Sequence, residues 1–222
     1  MDVYEAVKSR HAVRDFTDEP VPQQVLERVL SAAAWSPSGS NIQPWRPYVV
    51  SGTPLKELKK RATERITAGD PWDEPEYVQY PEPLKPPYCD RRSDFGRQRY
   101  GDLGIAREDT EARYRAAIAN WDCFGAPAAL FCYIDRALGR AQWSDLGMYL
   151  QTFMLLCQSE GLSTCPQMAW AKVHRTVAEI LTPPDDLTLF CGISIGREQP
   201  TETASRTGRA PVAETVTFVG FD

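Results

Sequence analysis

Hydrophobic positions recur along the chain at two spacings, which predict helices and strands. The best-defined amphipathic helix begins near Pro22 and ends before Pro37, because its apolar positions fall three or four residues apart. The same spacing predicts further helices, at 3–9, 53–62, 108–120 and 173–181. Apolar runs predict strands, at 46–51, 128–134, 187–195 and, near the end, 212–221. Helices and strands without regular alternation indicate an α+β domain.

The longest predicted helix runs from Leu146 to Glu160. Ser144 and Asp145 precede it as expected N-cap residues, and Gly161 is expected to end it. Apolar side chains cover nearly its whole circumference. Such a helix must be buried on all sides, so we expect it in the core or in a subunit interface.

Composition changes between Asp70 and Asp102. Six prolines precede Tyr88 there, and several tyrosines and the charged cluster 90–92 accompany them. An irregular stretch of this length inside a compact domain is usually a lid, a binding loop or a mobile segment. We predict that residues 70–102 form a flap over the functional site, with a plain surface excursion as the alternative.

The connector between the second helix and the first strand, Ser36 to Trp45, is the strongest local signal. Most of its residues are Ser, Pro, Gly or Asn, which end a helix and let backbone N–H groups turn toward a common point. Unpaired donors in such a concave loop suit an anionic or electron-rich planar ligand. The alternative is an ordinary loop capped by a core tryptophan.

Composition and charge narrow the possible functions. A length of 222 residues suits one compact domain, and a net charge of -5 argues against a nucleic-acid partner. No apolar signal core or run of about 18 apolar residues occurs, so neither secretion nor a membrane role is expected. The six cysteines lack paired spacing, so we expect them reduced and the protein cytoplasmic. The chain has only two histidines, which argues against a histidine-rich metal site. It contains no GxGxxG fingerprint, so a separate nucleotide-binding domain is not expected.

Four separated motifs then agree with one another. They are the basic stretch Arg10, His11 and Arg14 after the first helix, the 36–45 loop, the run Cys165-Pro166-Gln167-Met168, and Arg209-Ala210-Pro211. With these motifs in this order, the chain closely resembles the FMN-dependent nitroreductase family from end to end.

The resemblance implies a nitroreductase-like α+β fold in which helices flank a central, mostly antiparallel sheet. It also implies an obligate homodimer with the flavin at the interface and the C-terminal strand exchanged with the dimer mate. One domain would span residues 1–222, with the flap insertion at 70–102 and a dimer-embracing arm at 205–222.

The resemblance also assigns the FMN contacts residue by residue. It gives the phosphate to Arg10 and Arg209, with His11 and Ala12 beside them, and the N1 and C2-carbonyl edge of the ring to Arg14. Ring contacts from the second subunit fall on Pro37, Ser38 and Gly39. The other side of the ring falls on Pro166, Gln167, Met168 and Ala169. Some relatives have Glu-Gly where Met168-Ala169 stands, which leaves the N5 contact to a side chain or to a backbone N–H.

The implied reaction is reduction of nitroaromatic compounds, with quinones as further candidate acceptors, by NADPH or NADH in a ping-pong hydride mechanism. No protein nucleophile or base is required, because the flavin carries the chemistry. Substrate contacts are expected at Ser40, Trp121 and Phe124, although a core role is equally compatible with the two aromatic residues. The alternatives are another job on the same fold, such as dehalogenation, dehydrogenation or flavin fragmentation, or a non-catalytic flavin-binding protein.

Overall fold

The computed structural model describes residues 1–200 and 206–221. Its contacts divide the chain into two compact units. The first consists of Met1–Tyr80 and Tyr114–Pro200, and the second of Pro81–Arg113 and the segment from 201 onward, described over 206–221.

A four-stranded sheet forms the centre of the first unit. Its strands are β1 (Arg46–Ser51), β2 (Ala128–Asp135), β3 (Ser163–Gln167) and β4 (Leu187–Gly196). They lie in the order β1-β2-β4-β3, and each neighbouring pair is antiparallel, which confirms the predicted α+β class. Strand β3 was not predicted, because its Cys165-Pro166 pair resembles a turn. It is an edge strand, where proline costs no ladder hydrogen bond.

Alternation along β2 divides the core into two layers. Leu130 and its even-numbered neighbours pack with α2 (Gln23–Ala33) and α6 (Arg140–Ser159). Phe131 and its odd-numbered neighbours face α3 (Gly52–Thr67) and α7 (His174–Leu181). Successive side chains of a strand point to opposite faces, so one central strand supplies both layers. The remaining helices of the chain before residue 200 are α1 (Val3–Ser9), α4 (Tyr88–Asp102) and α5 (Thr110–Ile118).

Helix α6 begins earlier than predicted. It starts at Arg140, so Ser144 and Asp145 lie inside it and are not N-caps, which makes that prediction wrong. The backbone N–H of Gly139 donates to Gln142 Oε1 at 3.2 Å at the true start. The first turn was missed because Ser144 and Asp145 resemble an N-cap, although Trp143 before them is partly buried against the core. Further along, Met148 is 41% exposed, so α6 is not buried on all sides within one chain.

The second unit departs from the sequence prediction in two places. The irregular stretch 70–102 contains α4, which buries no side chain and therefore shows no apolar periodicity. The strand predicted over 212–221 is wrong at its start, where α8 (Val212–Thr215) forms, and residues 216–221 pair with no strand of the described chain. Residues 205 and 222 of the predicted arm lie outside the described residues, and exchange with a partner stays a prediction.

No helix within the described ranges is long and apolar enough to cross a membrane. In the same ranges, no group of His, Cys, Asp and Glu side chains is arranged to hold a metal ion.

Candidate functional site

An extended basic segment follows α1 and lies against the edge of the sheet. The backbone N–H of Val13 donates to the Thr164 carbonyl on β3 at 3.1 Å, within a bridge that pairs Ala12 with Thr164. Val13 and Phe16 are buried and anchor the segment. Extended backbone alternates its side chains, so burying Val13 turns its neighbour Arg14 away from the core.

Polar contacts fix the side chains of this segment. The ring of His11 lies between two acceptors, with Nε2 2.8 Å from Glu198 Oε1 and Nδ1 3.1 Å from the Ser9 carbonyl. Arg14 Nη1 reaches the Ala12 carbonyl at 3.4 Å. Arg10, His11 and Arg14 are all partly buried. One short segment therefore brings three basic side chains to one edge of the sheet.

The Ala12–Thr164 bridge brings this segment to the start of the predicted ring-contact run. Pro166 is exposed on β3, while Met168 and Ala169 are partly buried in a 3₁₀ turn, Met168–Val173. Thr164 Oγ1 is buried and has no hydrogen-bond partner among the described residues. An anionic ligand with polar edges suits a basic segment beside an unsatisfied hydroxyl and the exposed Pro166.

The side chain of Gln167 is directed into the protein. Its Nε2 donates to the Asn120 carbonyl at 2.6 Å, and the Ser194 hydroxyl donates to its Oε1. Only 3% of Gln167 is exposed. The amide side chain is therefore held in the core, which leaves only the backbone of Gln167 for the predicted ring contact.

The first part of the predicted flap, residues 71–79, belongs to the first unit and is held there by specific contacts. Gln79 Nε2 donates to the Met168 carbonyl at 3.1 Å, which brings this stretch to the ring-contact run. Asp73 is buried and accepts from Arg65 Nη2 and from the Arg175 backbone N–H, both at 2.9 Å. Burial raises the pKa of Asp73, but these two hydrogen bonds and the Arg65 charge outweigh it and lower that pKa overall. Movement of a lid would have to come from residues beyond this anchored stretch.

The 36–45 loop is held by its own hydrogen bonds and by α6. The Gly39 N–H donates to Asp145 Oδ2 at 3.2 Å, and the Asn41 N–H donates to the Ser38 carbonyl at 2.9 Å. The N–H groups of Ile42 and Gln43 also bond inside the loop. The expectation of a concave run of unpaired donors is wrong for these four residues, because a helix-ending loop satisfies its own donors first.

The same loop stores backbone strain. Ser40, Asn41 and Gln43 all have positive φ, at 52, 56 and 51 degrees, a region that non-glycine residues seldom adopt. Strain of this kind persists where surrounding structure imposes it, which is frequent at binding sites. Ser40 is exposed at the turn. Trp45 closes the loop by stacking on Tyr149, with ring centroids 4.7 Å apart, so the loop does end in a core tryptophan.

Two predicted substrate residues lie in the core. Trp121 and Phe124 are each only 6% exposed, and Trp121 stacks on Trp72 with ring centroids 5.3 Å apart. Phe124 adopts a positive φ of 53 degrees, and its carbonyl accepts from the Phe16 N–H. Their burial favours the core role over direct stacking on a substrate.

Arg209 lies in the second unit and is exposed. Its Nη1 donates to the carbonyls of Thr207 and Gly208, at 2.7 and 3.0 Å. These contacts are local, so the side chain can be redirected at little cost.

Comparison with known proteins identifies the family of this chain. The sequence model of the Nitroreductase family matches residues 7–197. The chain belongs to the nitroreductase family. This match includes the basic segment, the 36–45 loop and the Pro166–Ala169 run, and it ends before Arg209.

Several nitroreductase-family relatives are similar over most of their length. Nitrobenzene nitroreductase of Ectopseudomonas oleovorans is 37% identical over 190 residues, which is 86% of this chain and 84% of the relative. 4-nitrobenzoate reductase of Pseudomonas putida is 35% identical over 218 residues, 97% and 95% of the two chains. The crystal structure of the FMN and NADPH-dependent nitroreductase NfnB from Sphigopyxis sp. strain HMH has a TM-score of 0.94 and 37% identity, with full coverage of both chains.

Proposed function

We propose that this protein is an FMN-dependent oxidoreductase that uses NAD(P)H to reduce nitroaromatic compounds. The observation that carries the proposal is the basic segment 10–14, which the Ala12–Thr164 bridge holds at the start of β3, next to the exposed Pro166. The relatives named for nitrobenzene and 4-nitrobenzoate reduction, and the FMN and NADPH-dependent NfnB, support this assignment.

The proposed site residues fall into groups according to the part of FMN that each group would contact. Arg10, with Arg209 from the end of the chain, supplies guanidinium groups suited to a phosphate. Backbone groups from Pro166 to Ala169 lie along one side of the ring. Pro37, Ser38 and Gly39 of a second subunit complete the ring site, and Ser40 stands on their exposed side.

FMN, when bound, would supply the redox chemistry of hydride transfer between NAD(P)H and the acceptor. Arg14 supplies fixed positive charge for the electron-rich edge of the reduced ring. The extended backbone on which Arg14 stands is anchored by buried Val13 and Phe16, so this charge is positioned before reduction takes place.

A homodimer follows from the proposal and agrees with exposed apolar side chains in the first unit. Val3, Tyr4 and Val7 of α1 are 74%, 76% and 50% exposed. Helix α1 packs against α6, on which Met148 is also exposed. Apolar side chains clustered in this way on a folded chain are typical of a subunit interface.

We place the protein in the cytoplasm. All six cysteines are free, and five of them are buried. Burial raises the pKa of Cys123, Cys157 and Cys191 to about 12, so these thiols stay protonated and unreactive. A protein built on free buried thiols suits a reducing compartment.

An anaerobic absorbance titration of the FMN-loaded protein tests the proposal. We expect NADPH or NADH to bleach the flavin band, and one addition of 4-nitrobenzoate or nitrobenzene to restore it. Bleaching without recovery would favour another reaction on this fold, such as dehalogenation. Failure of both nicotinamides to bleach the flavin would favour flavin fragmentation or a non-catalytic flavin-binding protein.

A further inference from the structure

The last residue of β3, Gln167, lies opposite a glycine in the sheet. The register pairs Gln167 with Gly192 on β4 and places Ser194 two residues further along β4. These side chains point to the face of the sheet on which α3 and α7 pack, because Cys165, two residues before Gln167, belongs to that layer. Diagonal neighbours on adjacent strands lie within reach of a long side chain. Gln167 therefore extends to Ser194, since the residue directly opposite it has no side chain.

The turn that follows β3 requires the glycine at position 192. A Cβ atom there would lie 2.5 Å from Trp170 Cδ1, because the Trp170 indole covers the backbone of β4 at this point. Trp170 is fully buried and packs edge-on against Phe131, with ring centroids 5.1 Å apart. Trp170 follows Met168 and Ala169 in the same 3₁₀ turn. Close packing therefore fixes the far end of the ring-contact run, Pro166 to Ala169.

Hydrogen bonds of the Gln167 amide hold the near end of this run. Ser194 is fully buried, and its hydroxyl donates to Gln167 Oε1. Gln167 Nε2 donates to the Asn120 carbonyl at 2.6 Å and lies 3.5 Å from Asn120 Oδ1. The amide has a hydroxyl donor on one side and oxygen acceptors on the other, so only one of its two orientations satisfies both ends. The Gln167 side chain is therefore fixed in a single orientation.

A further polar group, the Cys123 thiol, lies beside Ser194. Burial raises the pKa of Cys123 to about 12, so this thiol stays protonated and accepts hydrogen bonds only weakly. The amide oxygen of Gln167 is the stronger acceptor. The Ser194 hydroxyl is thus directed to Gln167.

We propose that Ser194 is a positioning residue for the flavin site, because through Gln167 it fixes the backbone of the ring-contact run. Loss of the hydroxyl would remove the donor to Gln167 Oε1, and a buried acceptor without its donor favours a change of orientation. Gln167 ends β3 and Met168 begins the turn, so a displaced Gln167 side chain shifts the backbone between them. The inference rests on the proposed FMN site and adds to it a buried residue that acts without touching the flavin.

Flavin fluorescence and urea denaturation of Ser194→Ala test the inference. We expect the dissociation constant of FMN to rise about tenfold, because part of the binding energy is spent on ordering the run. The maximal rate at which NADPH reduces the bound flavin should fall by a similar factor, with little change in the KM for NADPH. The free energy of unfolding should also fall, because a buried acceptor has lost its donor.

The double variant Ser194→Ala/Gln167→Leu separates positioning from stability. Apolar groups at both positions remove the unsatisfied acceptor, so the free energy of unfolding should largely recover. The dissociation constant of FMN should stay raised, because leucine cannot hold the run through hydrogen bonds to Ser194 and Asn120. Recovery of FMN affinity together with stability would show that the pair is merely structural and would overturn the proposal.

Thr188→Val is the matched control. Thr188 is buried at the other end of β4, where it pairs with Ile134, so this variant also loses a buried hydroxyl from the same strand. We expect it to bind FMN as the unaltered protein does, and an equal loss of affinity in Thr188→Val and Ser194→Ala would overturn the proposal. Normal FMN affinity in Ser194→Ala would overturn this inference alone, whereas failure of the unaltered protein to bind FMN would overturn the proposed function with it.

Discussion

At the scale of single residues, Asp145 shows how a buried charge can shape a binding loop. Its carboxylate is 6% exposed and accepts from the Gly39 N–H, one of the backbone groups that we place against the flavin. The sequence pattern assigned it to a helix start, because an Asp before an apolar run usually is one. In the fold it lies inside α6, where its partner is distant in sequence and invisible to local reasoning.

Removing this carboxylate should loosen the loop. We expect Asp145→Ala to weaken FMN binding about tenfold, because loss of a hydrogen bond to a charged acceptor costs about 1.5 to 3 kcal/mol. Quenching of flavin fluorescence on binding measures this affinity. Ser144→Ala, its exposed neighbour on the same helix, is the control, and equal effects of the two changes would refute the role.

We expect Arg14 to raise the reduction potential of the bound flavin. Arg14→Ala should make the two-electron reduction potential more negative by about 30 mV or more, since 30 mV corresponds to about 1.4 kcal/mol of lost stabilisation. Arg14→Lys keeps the charge and should recover most of the shift. Equilibration with reference dyes measures the potential, and an unchanged value in Arg14→Ala would exclude this role.

Asp73 gives the stability of the fold a dependence on pH. Its pKa in the folded state lies below its usual value of 3.8, so it stabilises the fold above that pH, and the contribution disappears as the pH falls through the lowered pKa. We expect Asp73→Asn to reduce the free energy of unfolding by about 2 kcal/mol at pH 7. Urea denaturation should show the difference shrinking below pH 4. Asp70→Asn, at an exposed position nearby, should change little at either pH.

At the scale of elements, apolar periodicity predicted the helices and strands that bury side chains in the core. It missed the elements that bury few side chains. Strand β1 was predicted at its observed bounds, and α2 was predicted within a residue at its start, although it ends at Ala33 rather than at Ser36. Each places apolar side chains on the sheet or within it. Helix α4 was missed because it buries no side chain, and the first turn of α6 was missed because Ser144 and Asp145 resemble an N-cap. Strand β3 was missed because a proline at a sheet edge reads as a turn. For the candidate site, the family resemblance predicted which residues belong to it. The contact of Gly39 with Asp145 could not be predicted from the sequence, because the two residues are far apart along the chain and only the fold brings them together.

The outer faces of α1 and α6 carry a prediction about assembly. Val7→Glu and Met148→Glu each place a charge on an exposed apolar position, so we expect either one to shift the proposed homodimer toward monomer. Sedimentation velocity measures this equilibrium. Val49→Glu, on an exposed position of β1, is the control for charge and exposure, and dissociation by all three variants would argue against a specific interface.

At the scale of the whole molecule, the C-terminal segment offers a further test of the dimer. Val216, Phe218, Val219 and Phe221 are 46%, 66%, 82% and 81% exposed, which is unusual for side chains of this kind unless another surface covers them. Deleting residues 216–222 should lower the concentration dependence of thermal unfolding, because a dimer gains stability with concentration and a monomer does not. Unchanged concentration dependence would exclude the exchanged arm.

The second unit joins two stretches that are far apart in the sequence. Arg91 Nη2 lies 3.5 Å from Glu214 Oε2, and Gln98 Nε2 donates to the Arg206 carbonyl at 3.0 Å. A charge reversal at position 91 would leave two like charges facing each other, and a second reversal at 214 would restore the pair. The double reversal should therefore keep the end of the chain on α4 better than either reversal alone, by a small margin because both side chains are exposed.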